Sequence, residues 1–154
     1  MIDGDDSEAL WRGEEGDSRA PISEYESTLA DRQRRLGPDH PDTLTALNNL
    51  ASYRAEGGDL RSAMIAYETL RDDCLRLLGP NHPHTLRVRN DIAYTVGEAG
   101  DPRRAVREYE ELLDDLRRVL GPDHPNTLRS RNNLAYWRGH LDETRAAIAA
   151  FEDV

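Results

Sequence analysis

The chain has 154 residues, 37% hydrophobic and 32% charged, with a formal net charge of −10. Phosphate groups are bound by cationic side chains, so this balance excludes nucleic acid and an anionic membrane surface as partners. No stretch approaches the roughly 18 apolar residues of a membrane span, and the acidic start Met1–Asp17 is unlike a secretory signal.

A repeated signature organises the chain. Leu36–Leu44 reads LGPDHPDTL, Leu78–Leu86 reads LGPNHPHTL and Leu120–Leu128 reads LGPDHPNTL, seven of nine positions identical at a spacing of 42 residues. One array is therefore expected over 1–154, with a degenerate first repeat at 1–35, full repeats at 36–77 and 78–119, and a truncated last repeat at 120–154. In the first segment Ala9, Gly16-Asp17 and Tyr25 fall in the small, Gly-Asp and aromatic registers of the later copies, although the signature itself is missing.

Within each full repeat two helices are predicted. Pro41, Pro83 and Pro125 suit a first helical turn, where a missing N–H costs nothing. Gly37, Gly79 and Gly121 suit the stop of the preceding helix, and Gly58 and Gly100 the turn inside a pair. The first helix carries a stripe of Leu44, Leu47, Leu50 and Ala51; the second carries Ala63, Tyr67, Leu70, Cys74 and Leu77, repeated as Ala105, Tyr109, Leu112, Leu116 and Val119. One such pair cannot bury both faces, so stacking supplies the core. The fold class is all-α, a right-handed superhelical stack of antiparallel helix pairs (an α-solenoid). In the last repeat Gly139 and Asp142 stand out of register with Gly58-Asp59; a second helix is expected from near Asp142 to Val154. Its short length would leave Ala147, Ile148 and Phe151 partly covered, an apolar end expected to pair with another copy of the chain or with a partner protein.

The helix–turn–helix unit, with Ala51, Ala63 and Tyr67 at its packing positions, resembles the tetratricopeptide repeat. The 42-residue period, the LGPxHPxTL link and the Asn-Asn-Leu-Ala runs at Asn48–Ala51 and Asn132–Ala135 are similar to the kinesin-light-chain-like repeats of many bacterial proteins. The resemblance covers nearly the whole chain and implies a concave face, lined by the first helices, that binds a protein or peptide. The residues it places there are Asn48 and Asn49; Arg87, Asn90 and Tyr94; and Arg129, Asn132, Asn133 and Tyr136. An asparagine amide can hold a peptide backbone with both donor and acceptor, or bridge neighbouring helices instead. Arg87 and Arg129 could grip a carboxylate in bidentate fashion. Arg89 and Arg131 occupy the register of Leu47, so their stems should pack and their guanidinium groups find acidic partners.

Nothing points to catalysis. His40, His82 and His124 recur one repeat apart, too far for ligands that must all lie about 2 Å from one ion, so no metal is expected. The acidic pairs Glu14-Glu15, Glu110-Glu111 and Asp114-Asp115 are sequence neighbours, which do not face each other on a helix. Every one of the twenty basic residues is arginine, as in high-GC bacterial coding, and the phosphate loop ending in Lys is accordingly missing. The lone Cys74 cannot close an internal disulfide and fits a reducing cytoplasm. The sequence therefore predicts a cytoplasmic binding scaffold without cofactor, not an enzyme; a peptide-sensing regulatory protein and a self-associating module are the alternatives.

Overall fold

A computed structural model describes residues 22–152, the side chains of residues 146–152 excepted. Most of the first repeat expected at 1–35, and the side chains of Ala147, Ile148 and Phe151, lie outside the described residues. Six helices follow one another: α1 Ile22–Leu36, α2 Pro41–Glu56, α3 Leu60–Leu77, α4 Pro83–Glu98, α5 Pro102–Val119 and α6 Pro125–Glu152. No strand occurs among the described residues.

The repeated signature is a link in which several side chains have a fixed task. Each histidine imidazole accepts from the backbone N–H two residues on: His40 Nδ1 from Asp42, His82 Nδ1 from His84 and His124 Nδ1 from Asn126, at 3.1–3.2 Å. It thus satisfies a donor that the helix start leaves without an intrahelical partner. Each proline then occupies the first helical residue. Each threonine hydroxyl donates to the carbonyl of the signature glycine, Thr43 to Gly37, Thr85 to Gly79 and Thr127 to Gly121, all at 2.8 Å. The final leucine or its neighbours then enter the core, where Leu44 and Leu86 are almost fully buried.

The turn inside a pair explains where the structure departs from the sequence reading. Gly58 and Gly100 adopt φ of 87° and 96°, a left-handed conformation costly for residues with a Cβ. Asp59 and Asp101 follow and cap the next helix, accepting from Ser62 and Arg104. Forty-two residues on, Asp142 and Glu143 stand at these two positions. With neither the left-handed glycine nor the short capping carboxylate, the helix does not stop. The second helix expected from near Asp142 is instead the continuation of α6, a single helix of 28 residues.

The chain divides into two compact units, one through Val88 and one from Arg89. In the first, α1 packs on α2 through stacked Tyr25 and Tyr53, centroids 4.9 Å apart, and through an Arg54–Glu26 ion pair at 3.0 Å. The α2–α3 pair closes around Leu50, Ala51, Ala63, Tyr67 and Leu70, with Ser52 Oγ 2.8 Å from the Tyr67 hydroxyl. A fully buried leucine such as Leu70 contributes about 1.5–3 kcal/mol of transfer free energy. Cys74 is a packing residue: burial pushes its thiol up to about 12, far from nucleophilic character. Leu77, expected on the buried stripe, is exposed at the end of α3.

In the second unit, Ala105, Tyr109, Leu112, Leu113 and Leu116 of α5 are buried, together with Ile92, Ala93 and Val96 of α4 and Leu134 and Trp137 of α6. Arg89 meets Asp115 at 2.7 Å, as expected, and Arg118 shares the same carboxylate. Arg89 first, then Arg118, holds the Asp115 carboxyl below its usual range. Arg131 does not follow Arg89: it is exposed, with no ion pair among the described residues. Arg138–Glu110, at 2.6 Å, repeats the Arg54–Glu26 pair two repeats later.

His84, in the first turn of α4, is buried. Burial first, then the charges of Arg87 and His82, brings its pKa down from 6.5 to about 4. The unfolded chain therefore binds more protons than the folded one between those values, and stability declines as pH falls through this window. In His84→Asn, which installs the residue of the same register, Asn126, this contribution is removed. Between pH 7 and pH 5 the parent should lose about 2 kcal/mol more than the variant, read from urea unfolding at both pH values.

Candidate functional site

The residues expected on the first-helix face divide between the two units. Asn48, Asn49 and Arg87 belong to the first; Asn90, Tyr94, Arg129, Asn132, Asn133 and Tyr136 belong to the second. Asn48 is buried, and neither of its amide atoms has a hydrogen-bond partner among the described residues. Asn49 and Arg87 are half-buried.

In the second unit the asparagine register takes on different tasks. Asn90 is buried and bridges helices: its Oδ1 accepts from Ser130 Oγ at 2.9 Å, and its Nδ2 donates to Asp91 at 3.2 Å. Asn132 is exposed, and Asn133 donates to the Tyr109 hydroxyl at 3.0 Å. That hydroxyl donates in turn to the Asn90 carbonyl at 3.2 Å. Burial is the chief reason the Tyr109 phenol is held well above its ordinary pKa, so it remains a donor. Asn48 lacks the bond that Asn90 makes because the residue 40 positions on is Val88 rather than Ser130.

Tyr94 and Tyr136, one repeat apart on α4 and α6, are 43% and 56% exposed. Between them lies Trp137, buried and edge-on to both rings, with centroids 5.9 Å from Tyr94 and 4.9 Å from Tyr136. His140 extends the cluster, stacked at 6.3 Å on Tyr136 and edge-on at 5.9 Å to Trp137. The indole lies so close to α4 that a Cβ at Gly97 would overlap its ring. Arg129, exposed, stands on α6 seven residues before Tyr136. The sequence reading identified Tyr94, Tyr136 and Arg129 but missed Trp137 and His140. Its available clue was Gly97, a glycine inside a helical pattern, which marks a close approach.

The asparagine contrast predicts opposite effects at equivalent positions. Asn48→Leu removes two buried polar atoms that have no hydrogen-bond partner among the described residues and should raise stability by about 1–3 kcal/mol. Asn90→Leu strands the buried Ser130 hydroxyl and should lower it by a similar amount; urea midpoints of the two variants check both signs. Gly97→Ala should cost about 1–3 kcal/mol, because the stiff, buried Trp137 ring must move. A shifted Trp137 indole N–H signal in the nuclear magnetic resonance spectrum would accompany that loss.

Two family models, each described as tetratricopeptide repeat, match residues 43–84 and 104–154, together more than half of the chain. No curated protein matches it. Among solved structures, the chain is similar to a protein of Podosopora anserina described as a kinesin light chain with nearly identical TPR-like repeats. The TM-score is 0.72 at 22% identity, over 96% of this chain and 70% of that one. A single-substitution variant of that protein matches equally well. The likeness gives the fold as an α-solenoid of helix pairs. The chain belongs to the tetratricopeptide repeat family.

Proposed function

We propose that this chain is a non-enzymatic scaffold that binds a peptide segment of a partner protein on the face of its first helices. Tetratricopeptide repeats are in general protein–protein interaction scaffolds. The observation that carries peptide binding on this face is the aromatic surface in the second unit, where two large rings stay open over a buried indole. Exposed rings held rigid by packing are good anchors, because little side-chain freedom is lost on binding. Tyr94, Arg129, Asn132 and Tyr136 make the contacts there, and Asn49 and Arg87 stand at the corresponding face of the first unit. Buried Asn48 and Asn90, with half-buried Asn133, serve the helices that present them. No described helix is long and apolar enough to cross a membrane. The all-arginine composition and the lone buried Cys74 support a bacterial, cytoplasmic setting.

Selection from a phage-displayed library of random peptides against the full chain tests this reading. Binders should emerge, and Tyr136→Ala should weaken them by at least about 1 kcal/mol, roughly five-fold in Kd by calorimetry. Failure to select any binder, or binders indifferent to Tyr136→Ala, would overturn it.

A further inference from the structure

The tyrosines of the aromatic surface have particular neighbours. Glu98 follows Tyr94 by four residues on α4, one turn along the same face, and is exposed. His140 follows Tyr136 by the same interval on α6. Glu98 and His140 are also one repeat apart, so the two helices present a Tyr–Glu row beside a Tyr–His row. Trp137 touches three of the rings and closes the surface from below. Glu143, one turn beyond His140, is exposed on the same side of α6.

We infer that this surface is a receptor for a cationic side chain, the lysine or arginine of a basic peptide, seated on Tyr94 and Tyr136 beside the Glu98 carboxylate. Ring faces carry negative potential and attract a cation, with arginine able to stack as well. The carboxylate adds a charge-assisted hydrogen bond at the edge of the rings. Glu98 forms no ion pair among the described residues; its carboxylate accepts from the Tyr94 hydroxyl and keeps further lone pairs for a cation. Its charge is felt at the site: after burial, it is the next cause holding the Tyr94 hydroxyl above its ordinary pKa. The nearest exposed arginine on this face of α6, Arg129, lies seven residues from Tyr136, roughly 10 Å along the axis and about one Debye length away at physiological salt. A net charge of −10 favours the approach of a basic partner.

The inference rests on the peptide-binding reading for its biological use, but its chemistry is tested separately. N-acetyl-arginine methylamide is titrated into the ¹⁵N-labelled full chain, followed at the Trp137 indole N–H, with the neutral isostere N-acetyl-citrulline methylamide as control. The cation should bind about three- to five-fold more tightly than citrulline. Tyr136→Phe, which keeps the ring, should preserve that preference. Tyr136→Leu, which keeps only apolar area, and Glu98→Gln should each abolish it. Glu111→Gln removes the same charge from a distant exposed site on α5 and should change nothing. Equal binding of citrulline, an unchanged Tyr136→Leu, or equal losses from Glu111→Gln and Glu98→Gln would overturn the cation site. If library peptides bind while the arginine derivative shows no preference, this inference fails alone. If the arginine derivative behaves as expected but no peptide is ever selected, the cation site stands and the scaffold reading fails.

Discussion

The structure depends on one local arrangement made three times: an imidazole nitrogen accepting from the backbone N–H at the start of a helix. His40, His82 and His124 all do this through Nδ1, and each is followed by a proline that sets the first helical residue. The threonine two residues beyond that proline ties the helix start back to the glycine that ended the previous helix. Stop, cap and restart are thereby locked within nine residues, so every first helix begins at the same phase of the 42-residue period. The phase decides which side chains face inward. A shift of one residue would rotate a helix by about 100° and turn Leu44 or Leu86 away from the core. Recurrence of histidine in this chain is thus a matter of backbone hydrogen bonding.

The inner turn is the complementary case, because its failure in the last repeat shows how little separates a helix pair from a single long helix. Gly100 and Asp101 end α4 and start α5, whereas Asp142 and Glu143 do neither. Continuation of α6 has a consequence for the surface. Ser52, in the register of Tyr136, is covered by the Tyr67 hydroxyl of the following helix. Tyr94, in the same register, lies near Tyr109 and is less exposed than Tyr136. Where α6 runs straight on, Tyr136 remains the most open of the series. The aromatic surface follows from that missing turn and from Gly97, which lets the indole of Trp137 settle against α4.

Much of this was legible in the residues because it is local. The signature placed the starts of α2, α4 and α6 at their prolines, and the apolar stripe of Leu44, Leu50, Ala63, Tyr67 and Leu70 is buried as its periodicity predicts. The asparagine register was equally visible as a recurrence, yet its meaning was not. Whether the side chain is paired depends on residue 130 being serine and residue 88 being valine, a tertiary pairing that no helical period displays. Trp137 escaped notice because its importance lies in what it packs against, and a tryptophan beside a tyrosine reads as one more apolar residue. The break in register at Gly139 and Asp142 is visible in the sequence, where a second helix is still expected from near Asp142; with no left-handed glycine at that point, α6 runs on instead.

The charge distribution on α6 gives the second unit a polarity that a bound peptide would share. Arg129 stands in the second turn of the helix and Glu143 beyond its middle, with Tyr136 and His140 between them. Across on α4, Glu98 reinforces the acidic end. The intervening tyrosine rings would offer a bound peptide contact area that is indifferent to sequence, whereas the two ends would discriminate by sign. A segment carrying a carboxylate near Arg129 and a basic residue near Glu98 would satisfy both ends, and the reversed segment would place like charges together at each. Since like-charge juxtaposition penalises the wrong orientation more reliably than attraction rewards the right one, the direction of a bound peptide along the helix would be fixed chiefly by repulsion. An apolar anchor alone could bind a chain in either direction; flanked by opposite charges, it would bind in one.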